Sequence, residues 1–287
     1  MATLKQIRSR IKTAKNIQQI TRAMKLVAAA RLKKATDRVL EARPYSEKLR
    51  EVMGSIARSG DLPSHPLLEK RSEVKKIGLV VMTSDRGLAG AFNSGLIRKA
   101  ADFIAASKQP IELICYGKKS YQFFSKRGYT IKERFAAPSG GARLEDATAI
   151  TQLARKFFES GEVDAIYVCY AKFFSAIRQV PQLVQLLPIE APAAGNTTGP
   201  SKDFEFEPDS KAILDILLPR YFQGLLWQAM LESTASEFGA RMTAMTSATD
   251  SAGKMINTLT LKANRERQAA ITTEILEVVG GAEALKA

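Results

Sequence analysis

Apolar positions recur every three and four residues through the first sixty residues of the chain. A seven-residue row passes through Ile7, Ala14, Thr21, Ala28, Ala35, Ala42, Leu49 and Ile56. A companion row passes through Leu4, Ile11, Gln18, Lys25, Leu32, Val39, Ser46 and Met53. This is the spacing of a helix that packs along a partner helix, with small side chains on one row permitting close approach. Gln18, Thr21 and Lys25 interrupt the apolar rows in one place. Either the pair is locally weaker there, or this stretch faces something other than the partner helix. Pro44 removes one backbone hydrogen bond and bends the helix rather than ending it, because helical spacing resumes beyond it.

The same spacing returns near the other end, through Leu214, Leu218, Tyr221, Leu225, Leu231, Ala235, Phe238, Met242, Met245, Thr249, Ala252, Ile256, Leu259 and Ala263. Gly224, Gly239 and Gly253 each cost this helix about 1 kcal/mol of intrinsic propensity, so packing has to hold it together. Between the two helices the pattern changes to short alternating elements. Ile77–Thr83, Ile111–Cys115 and Val163–Tyr170 are apolar runs of strand length. Ala89–Ala106, Lys118–Arg127 and Leu144–Glu159 have helical spacing. Arg178–Leu187 reads as one more strand, pushed to an edge or a bulge by Pro181.

The expected fold class is therefore α/β. A long antiparallel coiled coil of the N- and C-terminal helices accompanies a small central Rossmann-like α/β domain with a largely parallel sheet. The expected division is 1–60 for the first helix, 61–208 for the α/β domain, and 209–287 for the last helix with a protruding tip. The Pro-, Gly- and Ser-rich stretch Glu190–Asp209 reads as a linker.

The two ends must leave the middle domain from nearby points, so an antiparallel pair is the economical solution. With residue 57 near residue 211, facing positions add up to about 268 at equal rise per residue. Residue 4 then falls beside residue 264, Met24 falls near Met245, and the last ~20 residues protrude. That overhang holds Ile271, Ile275, Leu276, Val278 and Val279 with no partner in the chain, and should be buried in another protein.

Charge sharpens the picture. The 287 residues carry 43 Lys+Arg against 29 Asp+Glu, a net +14, and residues 1–60 alone hold 15 against 4. The basic character belongs to the first helix and implies an acidic partner. A nucleic-acid-binding basic coiled coil is the alternative, but Tyr45 is the only aromatic among those residues. No apolar run reaches the length of a membrane span, and the basic, amphipathic start lacks the apolar core of a secretory signal, so it reads as mature protein.

Chemistry is sparse. His65 is the only histidine, which leaves neither a zinc site nor a histidine-based triad. Cys115 and Cys169 lie in strand-like runs and read as buried, reduced thiols. The segment Thr83–Asn93 joins the first strand to the first inner helix, where α/β proteins bind phosphates, yet it matches no phosphate-loop pattern. Gly87 and Gly90 are explained by turn geometry, and Ser139-Gly140-Gly141 leads into a helix in the same way. Asp85 and Arg86 could pair, while Glu145 and Asp146 read as first-turn acids facing the helix dipole.

The stretch from Arg267 to Ala282 (RQAAITTEILEVVGGA) closely resembles the signature of the gamma subunit of rotary ATP synthases. Ile7–Ile11 followed by Ile20–Ala29 is similar to that family's N-terminal helix. Ser84–Leu88 resembles its central loop, and Arg241–Met245 with Ala248–Asp250 its C-terminal helix. The resemblance covers the whole chain. It implies a non-catalytic rotor shaft with no catalytic, cofactor-binding or metal-binding residues. The implied partners are the alpha and beta subunits around the hexamer cavity, the epsilon subunit and the membrane c-ring, with no nucleic acid. The implied location is the cytoplasmic face of the bacterial plasma membrane, peripheral through the complex. Arg22, Met24 and Lys25 are implied to face acidic loops of the hexamer. Arg267, Gln268, Thr272 and Glu274 are implied to contact it higher up, with the tip from Ile275 onward in a hydrophobic sleeve. Some relatives carry an inserted cysteine pair; the stretch 170–219 has no cysteine, so no thiol regulation is expected.

Overall fold

A computed structural model of the chain describes residues 3–58, 65–190 and 210–284. The element order is α1 (Leu4–Arg58), a 3-10 turn (Pro66–Leu68), β1 (Ile77–Met82), α2 (Phe92–Ala106), β2 (Ile111–Tyr116), α3 (Lys118–Ser125), β3 (Ile131–Phe135), α4 (Leu144–Glu159), β4 (Ala165–Phe173), β5 (Gln179–Leu187) and α5 (Ser210–Ala284). The chain divides into two compact units, Met1–Val27 with Met242–Ala287, and Ala28–Arg241.

In the unit Ala28–Arg241 five strands lie in the order β3-β2-β1-β4-β5. β1 runs parallel to β2 and β4, β2 parallel to β3, and only β5 is antiparallel, hairpinned onto β4. Every residue of β1 is buried, as a central parallel strand covered on both faces requires. Side chains alternate between the two faces. Val80, Met82, Ile114, Val168 and Ile166 pack toward α1, α4 and α5. Leu79, Val81, Leu113, Cys115 and Cys169 pack toward α2 and α3. Both cysteines are free and fully buried, which pushes their thiols up to about 11 and about 12. Pro181 sits on β5, an edge strand, where a missing N–H donor is tolerated.

The helix α4 has the bounds expected from its spacing, α2 and α3 are shorter than expected, and the two long helices run to the limits of the described residues except at the start of α1. The strand β3 was not anticipated. Its sequence Ile-Lys-Glu-Arg-Phe puts three charged, exposed residues in a row at the opposite edge of the sheet, where Lys132 pairs with Glu112 and Glu162 and Arg134 lies over Tyr121. Charged side chains on an edge strand also block further strand pairing.

The helix α1 starts with a capping box: Thr3 Oγ1 accepts from Gln6 N–H and Gln6 Oε1 accepts from Thr3 N–H. Its burial follows the anticipated rows. Ile7, Ala14, Thr21, Ala28, Ala35 and Leu49 are buried, and the companion positions from Leu4 to Ser46 are half-buried or buried. Ile56 lies where no side chain is described. Within each unit α1 and α5 face each other in antiparallel fashion. Thr21 meets Thr249 and Gln18 meets Gly253 in one unit; Arg31 stacks over Phe238 and Leu49 lies against Gly224 in the other. These facing positions add up to between 269 and 273, close to the expected register.

Two glycines are required by close approach. Gly239 of α5 lies against the carbonyl of Ala176 and Gln179 in the β4–β5 hairpin, where a Cβ would be crowded. Gly117 has φ +95°, and a Cβ there would collide with the Thr83 carbonyl, so β2 can enter α3 only through glycine.

At the amino edge of the sheet, Asp164 ties β4 to the segment before β1. Its carboxylate accepts from Lys75 N–H (2.7 Å), Lys76 N–H (2.9 Å) and the Arg71 guanidinium (2.7 Å). Burial raises the carboxyl's pKa, but the bonds from Lys76, Lys75 and Arg71 outweigh it and hold the group below its ordinary value. The unfolded chain therefore binds this proton more readily, so the contribution is present above the ordinary carboxylate pKa and fades as pH falls through the depressed one. Asp164→Asn removes the charge that Arg71 and both amides face, and is expected to destabilise the fold by about 2–3 kcal/mol at neutral pH. Urea unfolding at pH 7 and pH 3.5 checks this: the gap between the two proteins should shrink at the lower pH.

Candidate functional site

Where doubly wound α/β proteins hold a ligand, several backbone donors of this chain are taken by its own side chains. Ser84 N–H donates to Asn93 Oδ1 (3.0 Å), and Ser84 Oγ donates to the Arg86 carbonyl (2.6 Å). Asp85 takes backbone partners: it accepts from Lys118 N–H at 2.7 Å and Ala137 N–H at 3.1 Å. Thr83 Oγ1 pairs with Ser120. Asp146, in the first turn of α4, is held by Arg143 at 2.9 Å. Glu145 shares that first turn, as the sequence indicated. His65 caps the 3-10 turn by accepting from Leu67 N–H at 3.0 Å. Burial lowers its pKa, against the opposing charge of Asp215. Among the described residues, no group of His, Cys, Asp and Glu is arranged to hold a metal ion.

At Gln18 and Thr21 the interruption in the α1 rows faces the helix partner. Thr21 is buried and its hydroxyl lies 2.8 Å from that of Thr249, whose one proton can go to Thr21 Oγ1 or to the Met245 carbonyl at 2.7 Å. Gln18 lies against Gly253, where the missing Cβ makes room for its amide. Thr21 and Gln18 thus face α5 at Thr249 and Gly253 inside the seam. Lys25 is half-buried on the companion row, Met24 is half-buried beside it, and Arg22 is exposed. Ile17, Ile20 and Val27 on the same helix are exposed apolar side chains.

Arg241 is the residue whose role the sequence left unread. It is buried, ion-paired with Glu237 at 2.7 Å, and reaches the Gly87 carbonyl at 3.4 Å. Burial raises the Glu237 carboxyl's pKa in spite of that pair. The clue available beforehand was an Arg placed four residues after a Glu on an otherwise apolar helix.

The last buried residue of α5 is Ala263, and every position from Arg267 to Ala282 is exposed. Ile275, Leu276, Val278 and Val279 show 57%, 66%, 72% and 57% of their surface. Helical spacing aligns Arg267, Ile271, Glu274 and Val278 on one face, and Gln268, Thr272, Ile275 and Val279 on the next. Thr272 turns its hydroxyl back to the Gln268 carbonyl at 2.9 Å. The sequence-predicted contact residues therefore form two groups, one about Arg22–Lys25 and one along 267–275.

The family model described as ATP synthase matches residues 3–285. The chain is 45% identical to the ATP synthase gamma chain of Brevibacillus brevis over 284 residues, covering 98% of each protein. It is 43% identical to that of Chlorobium phaeobacteroides, covering both proteins completely. The chain belongs to the ATP synthase gamma chain family. Solved structures agree on the fold. The Euglena gracilis mitochondrial ATP synthase in rotational state 3 contains a chain matching with TM-score 0.72 and 19% identity, over 98% of this chain and 94% of that one. The central stalk and c-ring of the Tetrahymena thermophila enzyme give TM-score 0.61 at 23% identity, over 80% and 99%. No described helix is long and apolar enough to cross a membrane.

Because the α5 end is exposed among the described residues, charging it should not affect folding. Ile275→Asp with Val279→Asp is expected to leave the thermal midpoint of the isolated chain within about 1 °C, since exposed sites contribute under ~0.5 kcal/mol. Calorimetry on the isolated chain measures this, and a large drop would place these side chains in an internal core.

Proposed function

We propose that this chain is the central rotor shaft of an ATP synthase and has no active site of its own. The carrying observation is that α5 outruns its buried seam, leaving residues 267–282 exposed with a row of apolar side chains. In this reading the overhang stands in the cavity of the alpha–beta hexamer, and its tip from Ile275 onward turns in an apolar sleeve. Arg267, Gln268, Thr272 and Glu274 contact the hexamer just before the sleeve. Arg22, Met24 and Lys25 face acidic loops of the same hexamer. The α/β domain joins the epsilon subunit and the membrane c-ring, so association with the membrane is peripheral and runs through the complex. The functional division follows: 1–60 and 209–287 form the shaft, and 61–208 the foot.

Torque transmission in this scheme needs no covalent chemistry. A shaft with different affinity for different hexamer conformations shifts their populations as it turns, and only that differential can do so. The basic surface of α1 suits the task. Exposed charge contacts are individually weak and salt-screened, so they pass from one subunit to the next without trapping the rotor.

Truncation after Asn264 is expected to weaken binding to the hexamer by about tenfold or more, since several apolar side chains lose their burial. Unchanged affinity in a titration of alpha–beta hexamer with the truncated chain would refute the sleeve. Arg267→Ala with Gln268→Ala should lower coupled turnover while the isolated chain stays folded. Met24→Lys, beside half-buried Lys25, should lower coupling efficiency more than stability; an isolated variant that is unfolded by circular dichroism would make Met24 a core residue only.

A further inference from the structure

We infer that His65 is a pH-sensitive latch. Uncharged, it holds the 3-10 turn that seats Leu67 in the core; protonated, it releases that turn and pairs with Asp215 of α5. The latch lies wholly within the unit Ala28–Arg241 and stands or falls independently of the shaft reading.

A histidine ring has two nitrogens, and here each faces a group with a fixed demand. Nδ1 accepts from Leu67 N–H at 3.0 Å, so it carries no proton while the turn is intact. The ring's single proton then belongs on Nε2, which lies 3.5 Å from Asp215 Oδ1. An imidazolium carries a proton on both nitrogens. Its Nδ1–H would point at Leu67 N–H, donor against donor, and the cap would be lost. The ion pair with Asp215 would survive the same step, because it uses the other nitrogen.

What the cap holds gives the step its reach. Leu67 is fully buried in the core that side chains of β1, α4 and α5 share. Its carbonyl accepts from Ile189 N–H at 2.8 Å, just past the end of β5, and Leu68 N–H donates to the His65 carbonyl at 2.9 Å. The turn is therefore a joint between the sheet edge and two helices. Loosening it frees that joint while leaving the strands paired.

The charges around the ring come from two helices. Asp215 belongs to α5, and Arg155 and Glu159 belong to α4, where they pair with each other at 2.6 Å. Burial disfavours the charged ring, with help from Arg155, by more than Asp215 and Glu159 favour it. The unfolded chain therefore binds this proton more readily than the folded one. The latch's contribution is complete above the ordinary histidine value of 6.5 and is lost as pH falls through the depressed one.

Magnetic resonance on the isotope-labelled full chain tests this, because the only histidine gives a single ring signal. The His65 ring should titrate with its midpoint below 6.5. Protection of the Leu67 amide against hydrogen exchange, corrected for the intrinsic rate, should fall about three- to tenfold through that same midpoint. His65→Asn supplies a capping oxygen that does not titrate, so its Leu67 protection should stay level between pH 7 and pH 5. Asp215→Asn removes a charge that favours the imidazolium and should move the His65 midpoint lower still. The latch is overturned by a midpoint at or above 6.5, or by Leu67 protection that does not follow the ring. An equal fall in His65→Asn, or an unmoved midpoint in Asp215→Asn, overturns it as well. Should His65→Asn fail to fold, ring and amide in the unsubstituted chain decide the matter by themselves.

Discussion

Everything else in this chain depends on the seam between α1 and α5, because helices of this length cannot hold themselves in water. The seam is built from small residues, with Ala14, Ala28 and Ala35 buried on α1 and Ala235, Ala252 and Ala263 buried on α5. Small side chains bring the backbones close, and dispersion then acts along the whole contact. The glycines of α5 belong to the same logic. Gly224 lies under Leu49 and Tyr45, and Gly253 under Gln18. The propensity lost at these positions is offset by packing that a Cβ would obstruct.

Such a seam has to accommodate polar residues without leaving them unpaired. Thr21 and Thr249 do this with hydroxyls 2.8 Å apart, the Thr21 proton going to the Gln18 carbonyl and the Thr249 proton to either Thr21 Oγ1 or the Met245 carbonyl. A buried hydroxyl lacking those partners would cost on the order of 1–3 kcal/mol. In the unit Ala28–Arg241, α5 carries a second duty. Its residues from Leu226 to Arg241 are buried or half-buried all round, since the sheet covers the side that α1 leaves open. Ser236 Oγ donates to the Ala171 carbonyl at 2.9 Å, fastening the helix to β4.

Much of this was legible in the amino-acid sequence because seams and parallel strands are periodic. The row from Ile7 to Leu49 and the exposed end beyond Ala263 follow from spacing and from counting residues along two unequal helices. What spacing cannot supply is the partner of a polar residue. Gln18 and Thr21 look like gaps in a pattern until Gly253 and Thr249 stand opposite them. The strand β3 was hidden for a related reason: an edge strand with three charged residues between its two apolar ends carries no apolar signal. Arg241 was quoted as part of a motif, but its link to Gly87 joins positions far apart in sequence, which no local pattern encodes. The proposed contact residues along 267–275 are legible only as exposed positions among the described residues.

The doubly wound domain illustrates how a fold can keep its architecture and lose its customary chemistry. Ligands in such sheets lie beyond the carboxyl ends of the strands, where backbone N–H groups are free to receive them. Here several of those donors are spent internally: Ser84 N–H on Asn93, Lys118 N–H and Ala137 N–H on Asp85, and Gly117 N–H on the Phe135 carbonyl. The turn that would cradle a phosphate is instead tied to its own strand and helix. The carbonyl of Gly87 in that turn accepts from Arg241 of α5. A loop that serves elsewhere to grip a ligand serves here to grip a helix, as expected of a domain whose task is to hold α5 rather than to react.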